Sequence, residues 1–389
     1  MEFPVNRRKA DDSCRWCGGS FLFGSSPPTA PALVRTGFRE ARVSQINGSA
    51  TIQPTGTAVA AAIMRLSALR EGDRAVLDLI ALGQAAIPEL RDFLFRREPS
   101  GLFEPRCNAV LALASLRAED VLLDFLEHAP AVDIADPIER TGEDAVINAA
   151  ARALRHRRDD ACFAALMKIA KQRPMAGVIE ALGDMGRELA IPRLIEGLSC
   201  DFARGVAGVA LSKFSSKSRP MLIAVGLNPR PSEESETSTS LRMRWSALSV
   251  LADIGATLEE WSLLKSLMDA HDVRVAALAC RLALVTQQPL LDREEALGRL
   301  IRLLGSADWL LRMQIEGWLA ENYDLTLRII NRAVDRGDNT VRDETVRNSL
   351  LRVIGSAAAR ALSTGLSEQP ETVRKPCGEL SGQGLKTSA

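Results

Sequence analysis

Ala81-Leu82-Gly83-Gln84-Ala85-Ala86-Ile87-Pro88-Glu89-Leu90 and, farther along, Ala181-Leu182-Gly183 leading to Ala190-Ile191-Pro192-Arg193-Leu194 are two copies of one pattern. Their prolines lie 104 residues apart (192 − 88), three steps of roughly 34 residues, the length of a helical-pair repeat. A fixed period of that size signals a solenoid, in which each unit buries its apolar face only by stacking on its neighbours. In each copy the proline reads as a first-turn residue, where it costs no hydrogen bond. Ile87, Leu90 and Leu94 then recur at spacings of three and four, which marks one buried helix face.

The second helix of a pair is typified by Val273-Arg274-Val275-Ala276-Ala277-Leu278-Ala279-Cys280-Arg281-Leu282-Ala283-Leu284, whose alanines permit close approach between stacked helices. Aligned on this pattern, second helices start near Arg106, Val146, Met175, Arg204, Arg242, Arg274, Arg312 and Arg342. Seven steps span 236 residues (342 − 106), and single steps run from 29 (Val146 to Met175) to 40 (Arg106 to Val146). The drift signals insertions, explicit at Ala129 to Thr141 and at Asn228 to Ser240. Aromatic residues make up only 4% of the chain, with one tyrosine, which suits close-packed helices and argues against a β-sandwich or barrel. The expected class is therefore all-α, an α-solenoid of about eight helical pairs over residues 58–363. Residues 1–57 and 364–389, rich in Pro, Gly, Ser and charge, read as disordered tails. Residues 228–240 read as a flexible loop, either between repeats or as a hinge between two halves. Met64, just inside the periodic region, is a candidate alternative start that N-terminal peptide mapping would test.

The order Ala-Leu-Gly, Ile-Pro-x-Leu, then a second helix opening with Val-Arg or Leu-Arg and alanines resembles the HEAT repeat, in particular the bacterial PBS-lyase-like kind. Asp272-Val273-Arg274, Asp308-Trp309-Leu310-Leu311-Arg312 and Asn339-Thr340-Val341-Arg342 match that pattern, whereas the units near Val146 and Met175 lack its arginine. The resemblance covers about 300 residues and implies an armadillo-like superhelix whose second helices line a concave surface. It implies no activity, because function separates freely from fold in scaffolds of this sort. Some proteins with such repeats attach bilin chromophores or excise DNA bases, but no active-site residue transfers here.

Balanced totals of 49 basic and 49 acidic residues give no net field to draw nucleic acid or an anionic membrane over distance. No stretch approaches the roughly 18 apolar residues of a membrane span, and no apolar run of signal-peptide length follows Met1. Seven scattered cysteines read as small buried hydrophobes in a reducing compartment, so the expected location is cytoplasmic. His128, His156 and His271 are far apart and form no metal motif. Cys14-Arg15-Trp16-Cys17 has zinc-knuckle spacing without a second pair. No metal, cofactor or catalytic set is expected.

Arginine stands out, with 41 against eight lysines among the 49 basic residues. The candidate binding residues on the concave face are Arg204, Arg242, Arg244, Trp245, Arg274, Arg281, Arg312, Trp318, Arg342 and Arg347. Arginine suits planar recognition of carboxylate or phosphate, while the plainer reading has these arginines pair with acids such as Asp272, Asp308 or Glu316 to knit neighbouring units. Trp245, Trp309 and Trp318 read first as core or seam residues, and as anchors if exposed. In Arg152-Ala153-Leu154-Arg155-His156-Arg157-Arg158 the adjacent Asp159 and Asp160 point to a solvated helix end rather than a nucleic-acid patch. The expected function is a non-enzymatic scaffold or adaptor binding a protein or peptide. A bilin-lyase-like accessory enzyme, or nucleic-acid binding through the arginine-rich surface, is the alternative.

Overall fold

The computed structural model describes residues 56–96, 104–129, 134–229, 236–286 and 289–367, with side chains followed to residue 357. The tails expected at 1–57 and 364–389 fall almost wholly outside the described residues, as do Cys14, Cys17 and Cys377. Among the described residues all regular structure is helical: eighteen α-helices, five short 3-10 turns and no strand.

The helices alternate between two layers. The first-helix layer holds α1 (Gly56–Leu66), α3 (Ile87–Phe95), α5 (Glu119–Glu127), α7 (Asp160–Gln172), α9 (Ile191–Gly197), α11 (Arg219–Leu227), α13 (Leu258–Leu264), α15 (Leu290–Leu303) and α17 (Tyr323–Asp335). The second holds α2 (Gly72–Leu82), α4 (Arg106–Ser115), α6 (Pro137–Ala153), α8 (Ala176–Met185), α10 (Arg204–Phe214), α12 (Ser238–Ile254), α14 (Val273–Val285), α16 (Trp309–Glu321) and α18 (Glu344–Ser367). Within the pairs the two helices touch, except that α14 is met by the 3-10 turn Lys265–Asp269 that follows α13, and second helices also pack on the next-but-one helix along the chain. A continuous set of buried side chains, among them Leu79, Leu113, Ile147, Leu182, Leu211, Leu251, Leu282 and Leu319, runs between the layers.

Local sequence explains where the helices begin. Pro88, Pro137, Pro192 and Pro220 all occupy first turns, where the missing N–H is no loss. Asp136, Asp159, Asp272 and Asp308 cap α6, α7, α14 and α16 through side-chain acceptance of backbone N–H groups. Thr257 and Glu260 form a reciprocal capping box at α13.

The two Ala-Leu-Gly copies do different jobs. Gly83 ends α2 with φ of 69°, a conformation that favours glycine. Gly183 lies inside α8, where an added Cβ would stand 2.5 Å from Ala210 Cβ, and that helix ends instead at left-handed Gly186. Close approach recurs along the second-helix layer: Gly177 in α8 abuts the Asn148 backbone of α6, leaving no room for a Cβ.

Boundaries differ from the sequence reading where caps lie inside apparent loops. Thr237 accepts from Ser240 N, so α12 starts at Ser238 within the expected 228–240 loop, and α11 packs closely along α12 across that connection. Asp136 and Pro137 start α6 inside the expected Ala129–Thr141 insertion, so Val146 is mid-helix rather than near a start. Arg242 lies one turn into α12, and Arg342 closes the 3-10 turn Asn339–Arg342 before α18.

Candidate functional site

The exposed face of the second-helix layer has a fixed register. Leu77 lies midway between buried Ala75 and Leu79, Leu111 between Ala109 and Leu113, Val209 between Ala207 and Leu211, and Met313 between Leu311 and Ile315. A residue two positions from each of two core residues is turned about 200° away from both on an α-helix. The same slot is taken by Ala145, Glu180, Ser249, Arg281 and Leu351 in the remaining second helices. Nine slots from Leu77 to Leu351 cover 274 residues (351 − 77) in eight steps, about 34 each, the period expected of a helical-pair repeat. Leu77 is 66% exposed, Leu111 55%, Val209 62%, Met313 48% and Leu351 60%. Trp309, at the start of α16, is 66% exposed beside them.

Arg281 stands in this line itself, and most of the candidate arginines are already engaged. Trp245 donates from Nε1 to Asp272 Oδ1 at 2.8 Å, while the Arg274 guanidinium stands 4.5 Å from the Trp245 ring centroid and reaches Asp308 Oδ2 at 2.8 Å. Asp272 also caps α14 by accepting from Arg274 N and Val275 N. Asp308 caps α16 through Leu311 N, a backbone hydrogen bond that, with Arg274, holds its carboxyl below the usual range. Arg281 reaches Glu321 Oε2 at 2.6 Å and stands 5.7 Å from the Trp318 ring centroid. Arg274 thus links Trp245 of α12 to the start of α16, and Arg281, two turns farther along α14, meets Trp318 of α16.

The other candidates separate from that group. Arg204 and Arg242 both pair with Asp201, Arg242 at 3.6 Å. Arg244 is buried, donating to the Gly226 carbonyl at 3.0 Å and to Glu236 at 2.5 Å. It borders a cavity of about 390 Å³ between α11 and α12, lined mainly by apolar groups such as Met221, Val225 and Met243. Arg312 donates to the Leu304 and Ala307 carbonyls at 3.1 and 2.7 Å, closing the end of α15. Arg342 and Arg347 are exposed and join none of these groups.

Ion pairs elsewhere repeat the theme. Arg152–Glu180, Lys213–Asp184 and Arg352–Glu316 link successive second helices across 28, 29 and 36 residues. Arg91–Asp124 links α3 to α5 across 33 residues, while Arg157 and Arg187, in the connections before α7 and α9, reach back to Asp120 of α5 and Asp160 of α7 across 37 and 27. One end of a typical pair therefore sits 27 to 37 residues from the other. In the Arg152–Arg158 cluster, Arg152, Arg155 and Arg157 are taken up in this way by Glu180, Asp120 and Asp159.

Two features went unseen in the sequence. Glu143, 3% exposed, holds Arg106 Nη1 at 2.8 Å, while Glu104 takes Arg106 Nε at 2.8 Å. Its signal was available, since Glu143 shares the apolar face of Val146, Ile147 and Ala150 at spacings of three, four and seven. The apolar slot residues were missed because they belong to no core stripe. Burial pushes the thiols of Cys107 and Cys162 up to about 11 and that of Cys280 to about 12, which favours the protonated thiol at neutral pH. No described helix is long and apolar enough to cross a membrane.

No family model and no curated protein matches the chain. Among solved structures, the crystal structure of an engineered protein from the Northeast Structural Genomics Consortium is similar over 77% of this chain and 88% of its own, with 16% identity and a TM-score of 0.33. A superposition of that quality carries no argument about ancestry or activity.

Proposed function

We propose that this chain is a non-enzymatic binding scaffold, a HEAT-like α-solenoid whose second helices form the concave face that holds a protein or peptide partner. The alternating layers, the recurrence of one slot in nine successive units and ion pairs that reach one repeat ahead all support the solenoid reading. The observation that carries the function is the slot itself: Leu77, Leu111, Val209, Met313 and Leu351 are large, apolar and turned away from the core at one register. Single exposed apolar side chains are ordinary. Their recurrence in register lines them up along one surface, as a binding stripe requires. The arginines contribute a polar frame around that line. Because most of them are spent on carboxylates of this chain, the nucleic-acid reading has less support than the apolar one.

The test places a photo-crosslinking residue at Leu111, Val209 or Met313, with Leu189 and Ala164 of the first-helix side as controls, in cells that express the protein. One partner captured from all three slot positions and not from the controls is the expected result. Val209→Asp with Met313→Asp should then abolish capture while helicity is unchanged. Equal capture from the control positions, or survival of binding in the double variant, rules the concave reading out.

A further inference from the structure

The steps of the second-helix layer are not equivalent. From α2 through α14, and again from α16 to α18, successive second helices approach closely along their backbones. Between α14 and α16 they approach only sparsely, while α14 packs closely on α15 and α16 on α18. The cause lies in the facing side chains. Close steps use residues such as Gly177 against Asn148 and Gly183 against Ala210. At the α14–α16 step the space between helices is spanned by Arg274, Arg281 and Trp318. Long side chains separate helix axes, and contacts made at their ends resist sliding and splaying less than interlocked backbones do.

We propose that the α14–α16 seam is the joint at which the second-helix layer opens, and that Arg274 and Arg281 are the straps that hold it closed. Each strap combines a carboxylate and an indole. Arg274 joins Asp308 of α16 to the Trp245 ring of α12, and Arg281 of α14 takes both Glu321 and Trp318 of α16. The Asp308 side chain is 56% exposed and that of Glu321 35%, so solvent ions reach both pairs and screen them. Opening would change the spacing between Met313 and Trp309 on one side and Trp245 on the other without unfolding any helix. The joint stands on this packing alone, whether or not the exposed face binds a partner. It lies away from the 228–240 connection, where α11 and α12 pack closely.

Pulsed electron–electron resonance distances test it on the full chain, with spin labels on bioorthogonal residues so that the native cysteines stay unmodified. Labels at Ser249 in α12 and Leu351 in α18 span the seam, and labels at Ala145 in α6 and Ser249 do not. In Arg274→Gln/Arg281→Gln the seam-spanning distance should lengthen by about 3 Å or more, the reach of one lost guanidinium–carboxylate contact, with the control distance unchanged. In the wild type the same shift should develop between low salt and about 1 M, where the Debye length falls to about 3 Å. A seam distance that does not move in either experiment, or equal lengthening of both pairs, overturns the proposal. If the double variant loses helicity, the wild-type salt series decides.

Discussion

Removing the Arg106 guanidinium should cost more than removing any arginine of the exposed face. Arg106 is 6% exposed and lies between Glu143 at 2.8 Å, itself 3% exposed, and Glu104 at 2.8 Å. Arg106→Leu takes away the cation that these buried carboxylates share, and breaking a buried pair from one side costs about 3–5 kcal/mol. An exposed pair such as Arg352–Glu316 is worth about 0–1 kcal/mol by comparison. Because parts of a structure open locally, the proper measure is the opening free energy of the α4 and α6 amides in native-state hydrogen exchange. Arg106→Leu with Glu143→Leu should recover part of the loss, since one buried charge goes with its partner. A single-variant cost under about 1 kcal/mol, the range of a surface pair, would refute the claim that this cluster is a buried, charge-paired element.

Glycine positions separate close packing from open space: Gly177→Ala drives a Cβ into the Asn148 backbone and should destabilise by about 1–3 kcal/mol. Gly317→Ala, with nothing within 4 Å of its Cβ inside α16, should stabilise by about 0.5–1 kcal/mol; thermal unfolding of the two variants would show opposite signs. Asp308→Ala removes the α16 cap and the Arg274 contact and should cost about 1 kcal/mol. Because the folded Asp308 pKa is depressed, its contribution is present above the unfolded value of about 3.9 and is lost as pH falls through the lower folded value; an Asp308→Asn protein whose α16 exchange keeps the wild-type acid dependence would contradict this. Cys280, fully buried with its thiol pushed up to about 12, should resist iodoacetamide at pH 8 in the native protein and react once it unfolds, as followed by peptide mass spectrometry.

The period and the helical class were legible because they depend on spacing. Proline in a first turn and aspartate before a second helix act within four residues, so Pro88, Pro192, Asp272 and Asp308 can be read without knowing what they face. Side-chain roles that depend on a neighbouring unit could not be read so. Gly83 and Gly183 occupy the same three-letter word, yet one supplies a positive φ and the other makes room for Ala210. The difference lies 27 residues downstream (210 − 183) in the case of Gly183. Arginine was the most visible residue type and the least informative about binding, since a pair such as Arg274–Asp308 spans 34 residues and satisfies the cation within the chain. A residue two positions from each of two core residues is the complementary signal. It can be found only after the core stripe has been assigned on every second helix, and it then selects Leu77, Leu111, Val209, Met313 and Leu351, with Arg281 the one arginine candidate that shares the slot. The conspicuous charge here reports how successive helices join, and the imprint of the proposed partner is to be sought in apolar residues that the joining leaves unused.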